Sequence, residues 1–317
     1  MIKKRILVTG ANGFVGSALL TYLLEHDCLV RTATRRSFPK CENFENVVVG
    51  DLGASTDWGL PLTGVESVVH LAARVHMIDD RAPDREEAYR RVNVDGTLTL
   101  ASQAAKAGVT RFVYLSSAKV NGESTAFGAP YGPNDTPAPR DAYGRSKHEA
   151  ESGLWRIAEQ TGMEVVILRA PLVYGPGVRA NFLTMMRWLS RDVPLPLGAI
   201  RNRRSLLALD NLSNLIFLCL DHPAAANQTF LASDDDDLST PDLLRRLSVH
   251  LGKPVRLWPV PVSCLKFGAT LLGQEGIAQR LTESLQLDIS KTRSLLGWQP
   301  PVSVDEGLRR TAEHYLR

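Results

Sequence analysis

The sequence predicts an α/β fold: a doubly wound parallel sheet with helices on both faces, followed by a smaller α/β C-terminal lobe. Three observations carry that expectation. Short β-branched runs alternate with longer helical patterns through the first half, as in successive βαβ units. Those runs are apolar throughout, which suits strands covered on both faces. After about Pro171 the rhythm is lost, and Pro and Gly clusters at 175–177, 194–198 and 252–261 separate shorter elements. The expected division is therefore 1–171 for the sheet domain and 172–317 mainly for the lobe, with some segments returning to the first domain.

The strands are expected at 6–8, 29–34, 47–49, 68–71, 112–115 and 165–168. Helices are expected at 14–24, 85–107 and 143–160. Gly108 and Gly162 fall just past the last two periodic patterns, where a left-handed residue closes a helix.

Composition excludes several classes of function. A chain of 317 residues that is 44% hydrophobic can bury a full core without disulfide or metal staples. Its formal net charge of +3 comes from basic residues spread along the chain, so no nucleic-acid partner is expected. Cys28, Cys41, Cys219 and Cys264 show no CxxC spacing, which points to reduced thiols and to no zinc site. The Asp234 to Asp237 run reads as a solvated turn, and no metal is expected. No stretch reaches the roughly 18 uncharged apolar residues of a membrane span. The run at 260–272 is interrupted by Pro261, Lys266 and Gly268. The apolar run 6–8 is too short for a signal peptide, so a cytoplasmic location is expected. Segments 258–265 and 267–272 are expected to pack in the core, with a pocket wall or a contact with a membrane or another subunit as alternatives.

Gly10, Gly13 and Gly16 follow the first strand and open the first helix. This GxxGxxG spacing lets backbone amides approach a pyrophosphate at a helix N-terminus, the Rossmann arrangement for a dinucleotide. A merely tight turn is the alternative. An NAD site of this type normally ends its second strand in Asp or Glu; here the strand ends Thr34-Arg35-Arg36. Two guanidinium groups and no carboxylate favour the 2′-phosphate of NADP(H), whereas solvated loop arginines would leave NAD(H) open. Asp51 stands where a carboxylate could hold the adenine amino group, or where a plain Asx turn would form.

Tyr143 and Lys147 are one helical turn apart, so both side chains share a face. A free phenol titrates at about 10, so Tyr143 can exchange a proton near neutrality only beside positive charge, which Lys147 and a nicotinamide cation would supply. Ser117, at the end of the fifth strand, can hold the substrate oxygen.

Together these residues resemble the extended short-chain dehydrogenases/reductases of the nucleotide-sugar epimerase and reductase type. The resemblance runs from Thr9-Gly10-Ala11-Asn12-Gly13-Phe14-Val15-Gly16 to Leu296-Gly297-Trp298-Gln299-Pro300. It implies cofactor contacts from Gly10, Asn12, Gly13, Phe14 and Val15, from Thr34, Arg35 and Arg36, and from Asp51 and Leu52. It adds Leu71, Ala72 and Ala73 of the His70-Leu71-Ala72-Ala73 segment, with Asn93, Ser116, Lys147 and Pro171. Ser117, Tyr143 and Lys147 become the implied catalytic residues, and Arg74, Ser117, Tyr143, Asn181, Phe182 and Arg204 the implied substrate contacts. A homodimer through two long helices is usual in the resembling proteins.

The departures narrow the reaction. Dehydratases of this type follow the hydroxyl residue with Asp-Glu, whereas here Ser117 is followed by Ala118 and Lys119. Without that acid and base, dehydration is disfavoured and hydride transfer at C4 remains. The expected NADP site, Leu172 where many epimerases place Asn, and Asn121 where many place Tyr lean towards an NADPH-dependent ketoreductase. Its expected partner is a UDP-linked nucleotide-sugar substrate, a UDP-4-keto-6-deoxy-N-acetylhexosamine. The alternative is an NAD-dependent 4-epimerase of UDP-glucose or UDP-N-acetylglucosamine. A non-enzymatic NADP sensor or interaction protein is a third reading, and the Ser, Tyr and Lys constellation argues against it.

Overall fold

The computed structural model describes residues 4–36, 43–75 and 84–317; Cys41 lies outside them. The first half runs β1 (Arg5–Thr9), α1 (Phe14–Glu25), β2 (Leu29–Thr34), β3 (Glu45–Val48), α2 (Gly59–Leu62), β4 (Ser67–His70) and α3 (Arg85–Arg90). A π-helical turn over Arg91–Asp95 leads into α4 (Gly96–Lys106), followed by β5 (Arg111–Ser117), α5 (Ala142–Thr161) and β6 (Glu164–Ala170). The remainder comprises β7 (Leu172–Tyr174), α6 (Ala180–Ser190), β8 (Leu206–Ala208), α7 (Leu209–Asp221), β9 (Gln228–Leu231) and α8 (Thr240–His250). It closes with α9 (Val262–Leu271), α10 (Glu275–Thr282), α11 (Ser290–Leu296) and α12 (Val304–Leu316).

Seven strands form one parallel sheet in the order β3-β2-β1-β4-β5-β6-β9. The order reverses direction between β1 and β4, which opens a crevice at the C-terminal ends of those strands. Both faces are covered, as the unbroken apolar runs require. On one side Leu19 and Leu23 of α1 join Leu212, Leu215 and Ile216 of α7 over Val8 and Val166. On the other, Trp58, Leu100 and Leu154 close over Leu7, Phe112 and Tyr114. A separate core of Tyr174, Phe182, Leu189, Leu244 and Leu308 holds the lobe together.

The strand at 29–34 is observed as expected, and the others differ by one or two residues at their ends. Gly108 and Gly162 have φ of 83° and 75°, the left-handed conformation anticipated at those helix ends. β9 was not anticipated: four residues, half of them only partly buried, leave little periodic signal.

Two expectations are corrected. Residues 258–272 do not pack in the core. No residue of α9 is fully buried, and Trp258, Phe267, Leu271 and Leu272 are 61%, 68%, 71% and 76% exposed. The reason is that α9 and α10 pack chiefly on each other, with Val262, Leu265 and Leu281 touching the lobe core. Asp234 is not solvated either. It is buried and accepts from the Ala208 amide (2.8 Å), Asn211 Nδ2 (2.7 Å) and the Tyr174 hydroxyl (2.8 Å), and burial pushes its carboxyl up to about 6. Among the described residues no helix is long and apolar enough to cross a membrane, and no group of three His, Cys, Asp or Glu is placed to hold a metal.

Candidate active site

The glycine turn is packed backbone against backbone. Gly10 has φ of 68°, and a Cβ there would stand 2.8 Å from the Ala72 amide nitrogen; a Cβ on Gly16 would stand 2.1 Å from the Gly10 carbonyl. Side chains are therefore excluded on steric grounds, and the first turn of α1 comes close under the segment that leaves β4. Gly13 caps α1 in extended conformation, with no side-chain cap and no acidic residue in the first turn. The helix opens with unblocked amides and an unopposed positive dipole end, a donor set that fits a diphosphate. Asn12 and Gly13 are exposed beside this turn, and Phe14 and Val15 are half-buried.

Thr9 anchors the other wall. Its hydroxyl accepts from the Leu71 and Ala72 amides, both at 3.2 Å, and lies 2.7 Å from His70 Nδ1. His70 Nε2 is 2.9 Å from Thr97 Oγ1. Burial, with Lys147 nearby, lowers the imidazole to about 3. His70 is thus a neutral brace, with its protons assigned by that network, and Ala73 follows the braced pair into Arg74.

At the end of β2, the buried Thr34 lies 2.8 Å from the Arg36 carbonyl and 2.9 Å from Asn46 Oδ1. Its side chain holds the turn that presents Arg35 and Arg36. Arg35 is 75% exposed and sits 3.8 Å from Asp51, itself 91% exposed. Leu52 is buried against Gly96, where a Cβ would come within 3.1 Å of the leucine Cβ. Arg31 is engaged elsewhere, donating to the Pro61 (2.9 Å) and Thr63 (2.7 Å) carbonyls.

Ser117, Tyr143 and Lys147 gather where α5 meets the end of β5. Asp141 caps α5 by accepting from the Gly144 amide at 2.7 Å and pairs with Lys119. One turn of helix then presents Tyr143, with Ser117 beside it, and Lys147, whose Nζ donates to the Leu115 carbonyl at 2.8 Å. The ammonium stands 4.5 Å from the Tyr114 ring centroid and 5.9 Å from that of Tyr143. Burial lowers Lys147 to about 7 against the opposing pull of Glu151. Burial, with Asp141, pushes the Tyr143 phenol above its ordinary value against the opposing influence of Ser117. At neutral pH Tyr143 is consequently a phenol, and it becomes a base only when more positive charge gathers beside it.

Asn93 sits in the π-helical turn and is buried. Its Oδ1 accepts from the Arg74 amide (2.7 Å), and its Nδ2 donates to the Arg74 carbonyl (3.0 Å) and Ser146 Oγ (2.9 Å). Ser146 Oγ donates in turn to the Tyr143 carbonyl at 2.8 Å. The Arg74 guanidinium lies 5.6 Å from the Tyr89 ring, which meets Tyr143 edge-on at 6.1 Å. Arg74 is thus brought within two rings of Tyr143. Tyr89 was missed from sequence; its place one turn before Asn93 is the signal that would have found it.

Other expected site residues lie differently. The Phe182 side chain is a core residue, 1% exposed and stacked on Tyr174 at 5.6 Å, so its ring offers a substrate no surface. Ser116 turns its hydroxyl into the protein, donating to Glu151, and can meet a cofactor only through its backbone. Asn121 is buried between Arg169 Nη1 (3.1 Å) and the Gly132 carbonyl (3.0 Å). Asn181 is exposed at the start of α6, Leu172 is exposed, and Pro171 is half-buried. Arg204 is half-buried, donates to the Glu283 carbonyl at 3.0 Å, and has its pKa lowered by burial and by Arg280. Arg203 lies 6.0 Å from the Phe127 ring.

The parallel sheet, the glycine turn at its switch point and the Ser, Tyr and Lys group define an extended short-chain dehydrogenase/reductase. The chain belongs to the NAD dependent epimerase/dehydratase family, whose model matches residues 6–231. It is 48% identical over 99% of its length to the UDP-glucose 4-epimerase of Vibrio cholerae, of which it covers 96%. It is 26% identical to the N-acetyl-alpha-D-glucosaminyl-diphospho-ditrans,octacis-undecaprenol 4-epimerase of Escherichia coli O157:H7, over 98% of this chain and 94% of that one. In fold it is similar to the UDP-glucuronic acid 4-epimerase of Bacillus cereus in complex with NAD, with a TM-score of 0.78, 22% identity and 98% of both chains covered.

Proposed function

We propose that the protein is an NAD-dependent UDP-hexose 4-epimerase. The observation that carries this reading is the Ser117, Tyr143 and Lys147 group beside a diphosphate cradle, in a chain 48% identical to a UDP-glucose 4-epimerase. The glycine turn at Gly10, Asn12 and Gly13 would hold NAD, which when bound would supply a reversible hydride acceptor for C4 of the sugar. The residues do the rest. Ser117 orients the C4 oxygen, Tyr143 takes its proton as the C4 carbonyl forms, and the same phenol gives the proton back on re-reduction. Lys147 lies beneath, where its ammonium favours the phenolate. Arg204 is placed here as a cation for the substrate diphosphate. The cofactor would rest mainly on 1–171 and the sugar nucleotide on 172–317, with α7 and β9 returning to the sheet.

A second reading, an NADPH-dependent 4-ketoreductase of a UDP-4-keto-6-deoxy-N-acetylhexosamine, is favoured by one observation. The end of β2 presents Arg35 and Arg36 and no carboxylate. One experiment tests both. Purified protein with NAD and UDP-glucose or UDP-N-acetylglucosamine is followed by proton NMR, and with NADPH and the 4-keto sugar by nicotinamide absorbance. Interconversion of gluco and galacto forms without net cofactor change supports the epimerase. Stoichiometric NADPH loss supports the reductase, and the absence of both reactions overturns both.

A further inference from the structure

We propose that Glu151, held in place by Arg169 and tied to Ser116, is a positioning residue for both Ser117 and Lys147. Tyr143, Lys147 and Glu151 recur at intervals of four residues, so one face of α5 carries all three. That face grips three consecutive residues at the end of β5. Tyr143 lies beside Ser117, Lys147 Nζ donates to the Leu115 carbonyl, and Glu151 accepts from Ser116 Oγ between them. Across the sheet, Ser116 is in register with Arg169 of β6. Arg169 Nη2 donates to Glu151 Oε2 at 2.6 Å, and its Nε lies 3.1 and 3.2 Å from the two carboxylate oxygens. Its Nη1 reaches Asn121, which holds the Gly132 carbonyl and so secures the turn that follows Ser117.

The pair is buried, with Glu151 2% and Arg169 5% exposed. A buried ion pair adds little stability over apolar residues of the same size, because desolvation offsets the attraction. Its placement next to two site residues is better accounted for by geometry and charge. The groups that face Lys147 are His70 from β4, neutral by burial, Tyr114 from β5, and Tyr143 and Glu151 from its own helix. Arg169 of β6 stands behind Glu151, and the π-helical turn contributes the neutral Asn93 amide through Ser146. Within that set Glu151 is the anion, and it supports the ammonium against burial.

The inference rests on the function proposed above, and its test separates the two because one readout needs no substrate. Lys147 is titrated by NMR of the protein labelled with ¹³C-lysine, and kcat and KM are measured against pH. Glu151→Gln should lower the Lys147 midpoint by about one unit, as loss of a nearby opposite charge does. The alkaline fall in kcat should move down with it, with kcat reduced about tenfold or more by misplacement and KM nearly unchanged. Ser116→Ala should reduce kcat and leave the Lys147 midpoint in place. If Glu151→Gln fails to fold, Glu151→Gln with Arg169→Gln keeps hydrogen-bonding groups without the stranded guanidinium; because both charges of the pair leave together its Lys147 midpoint should stay near that of the parent, while kcat should still fall about tenfold by misplacement. A wild-type Lys147 midpoint in folded Glu151→Gln, or wild-type kcat in the double variant, overturns the proposal, and wild-type kcat in Ser116→Ala overturns its Ser117 half. A lowered midpoint in a protein that turns over neither sugar would sink the proposed function and leave the Lys147 half of this inference standing.

Discussion

Asn93 clamps both backbone groups of Arg74, accepting from its amide at 2.7 Å and donating to its carbonyl at 3.0 Å. The clamp joins the chain leaving β4 to α5, because the same amide nitrogen also reaches Ser146, which bonds the Tyr143 carbonyl. Asn93→Ala should leave these buried groups unpaired, at a cost of about 1–3 kcal/mol in unfolding free energy. It should also raise KM more than it lowers kcat, since Arg74 is the side chain set loose. Denaturant unfolding together with initial rates checks both parts.

Tyr143→Phe keeps the ring against Tyr89 and removes the hydroxyl proposed to carry the proton. Turnover should fall by about 100- to 10,000-fold, the usual worth of a positioned acid or base. Cofactor affinity, read by fluorescence titration, should stay within about twofold of the parent protein. Near-normal turnover would remove Tyr143 from the chemistry.

Gly16→Ala places a methyl group where the Gly10 carbonyl already stands, 2.1 Å away. Backbone cannot yield there without displacing the cradle. Dinucleotide affinity should drop by at least about tenfold, along with a lower Tm, because the strain falls on the element that binds. Gly108→Ala is the control, for its Cβ would meet nothing within 4 Å and its strain lies at a distant helix end. It should lower Tm without changing affinity.

Replacing Arg35 and Arg36 together by Ala decides what those exposed guanidinium groups do. If they hold a 2′-phosphate, NADPH affinity should fall about tenfold while NADH affinity stays level, in line with the loss of a charge-assisted contact. An equal change for both cofactors would make them rim charges.

Asp234 makes stability depend on pH in a particular direction. Burial raises its folded pKa to about 6 from the ordinary 3.8, so between those values the folded protein holds more protons than the unfolded chain. This contribution is therefore fully present below about pH 4 and is lost as pH rises through about 6. Asp234→Asn should flatten that part of the profile. The check is the difference in unfolding free energy between parent and variant across pH 4 to 7; a constant difference would rule the carboxyl out as its source.

Local and periodic features of this protein were legible in the sequence alone. Apolar runs fixed the sheet strands as doubly covered, glycine spacing marked the cradle, and the four-residue interval put Tyr143 and Lys147 on one face, because each depends on chain geometry over a few residues. Whatever depends on partners distant in sequence was decided by the tertiary structure. Phe182 became core by stacking on Tyr174, and Asn121 turned inward to meet Arg169, 48 residues away. Asp234 left the solvent for three donors from Ala208, Asn211 and Tyr174, while Phe267 and Leu271 stayed exposed because no element among the described residues covers them. Burial and charge at one residue are sums over neighbours that the fold assembles, and no window of sequence contains them.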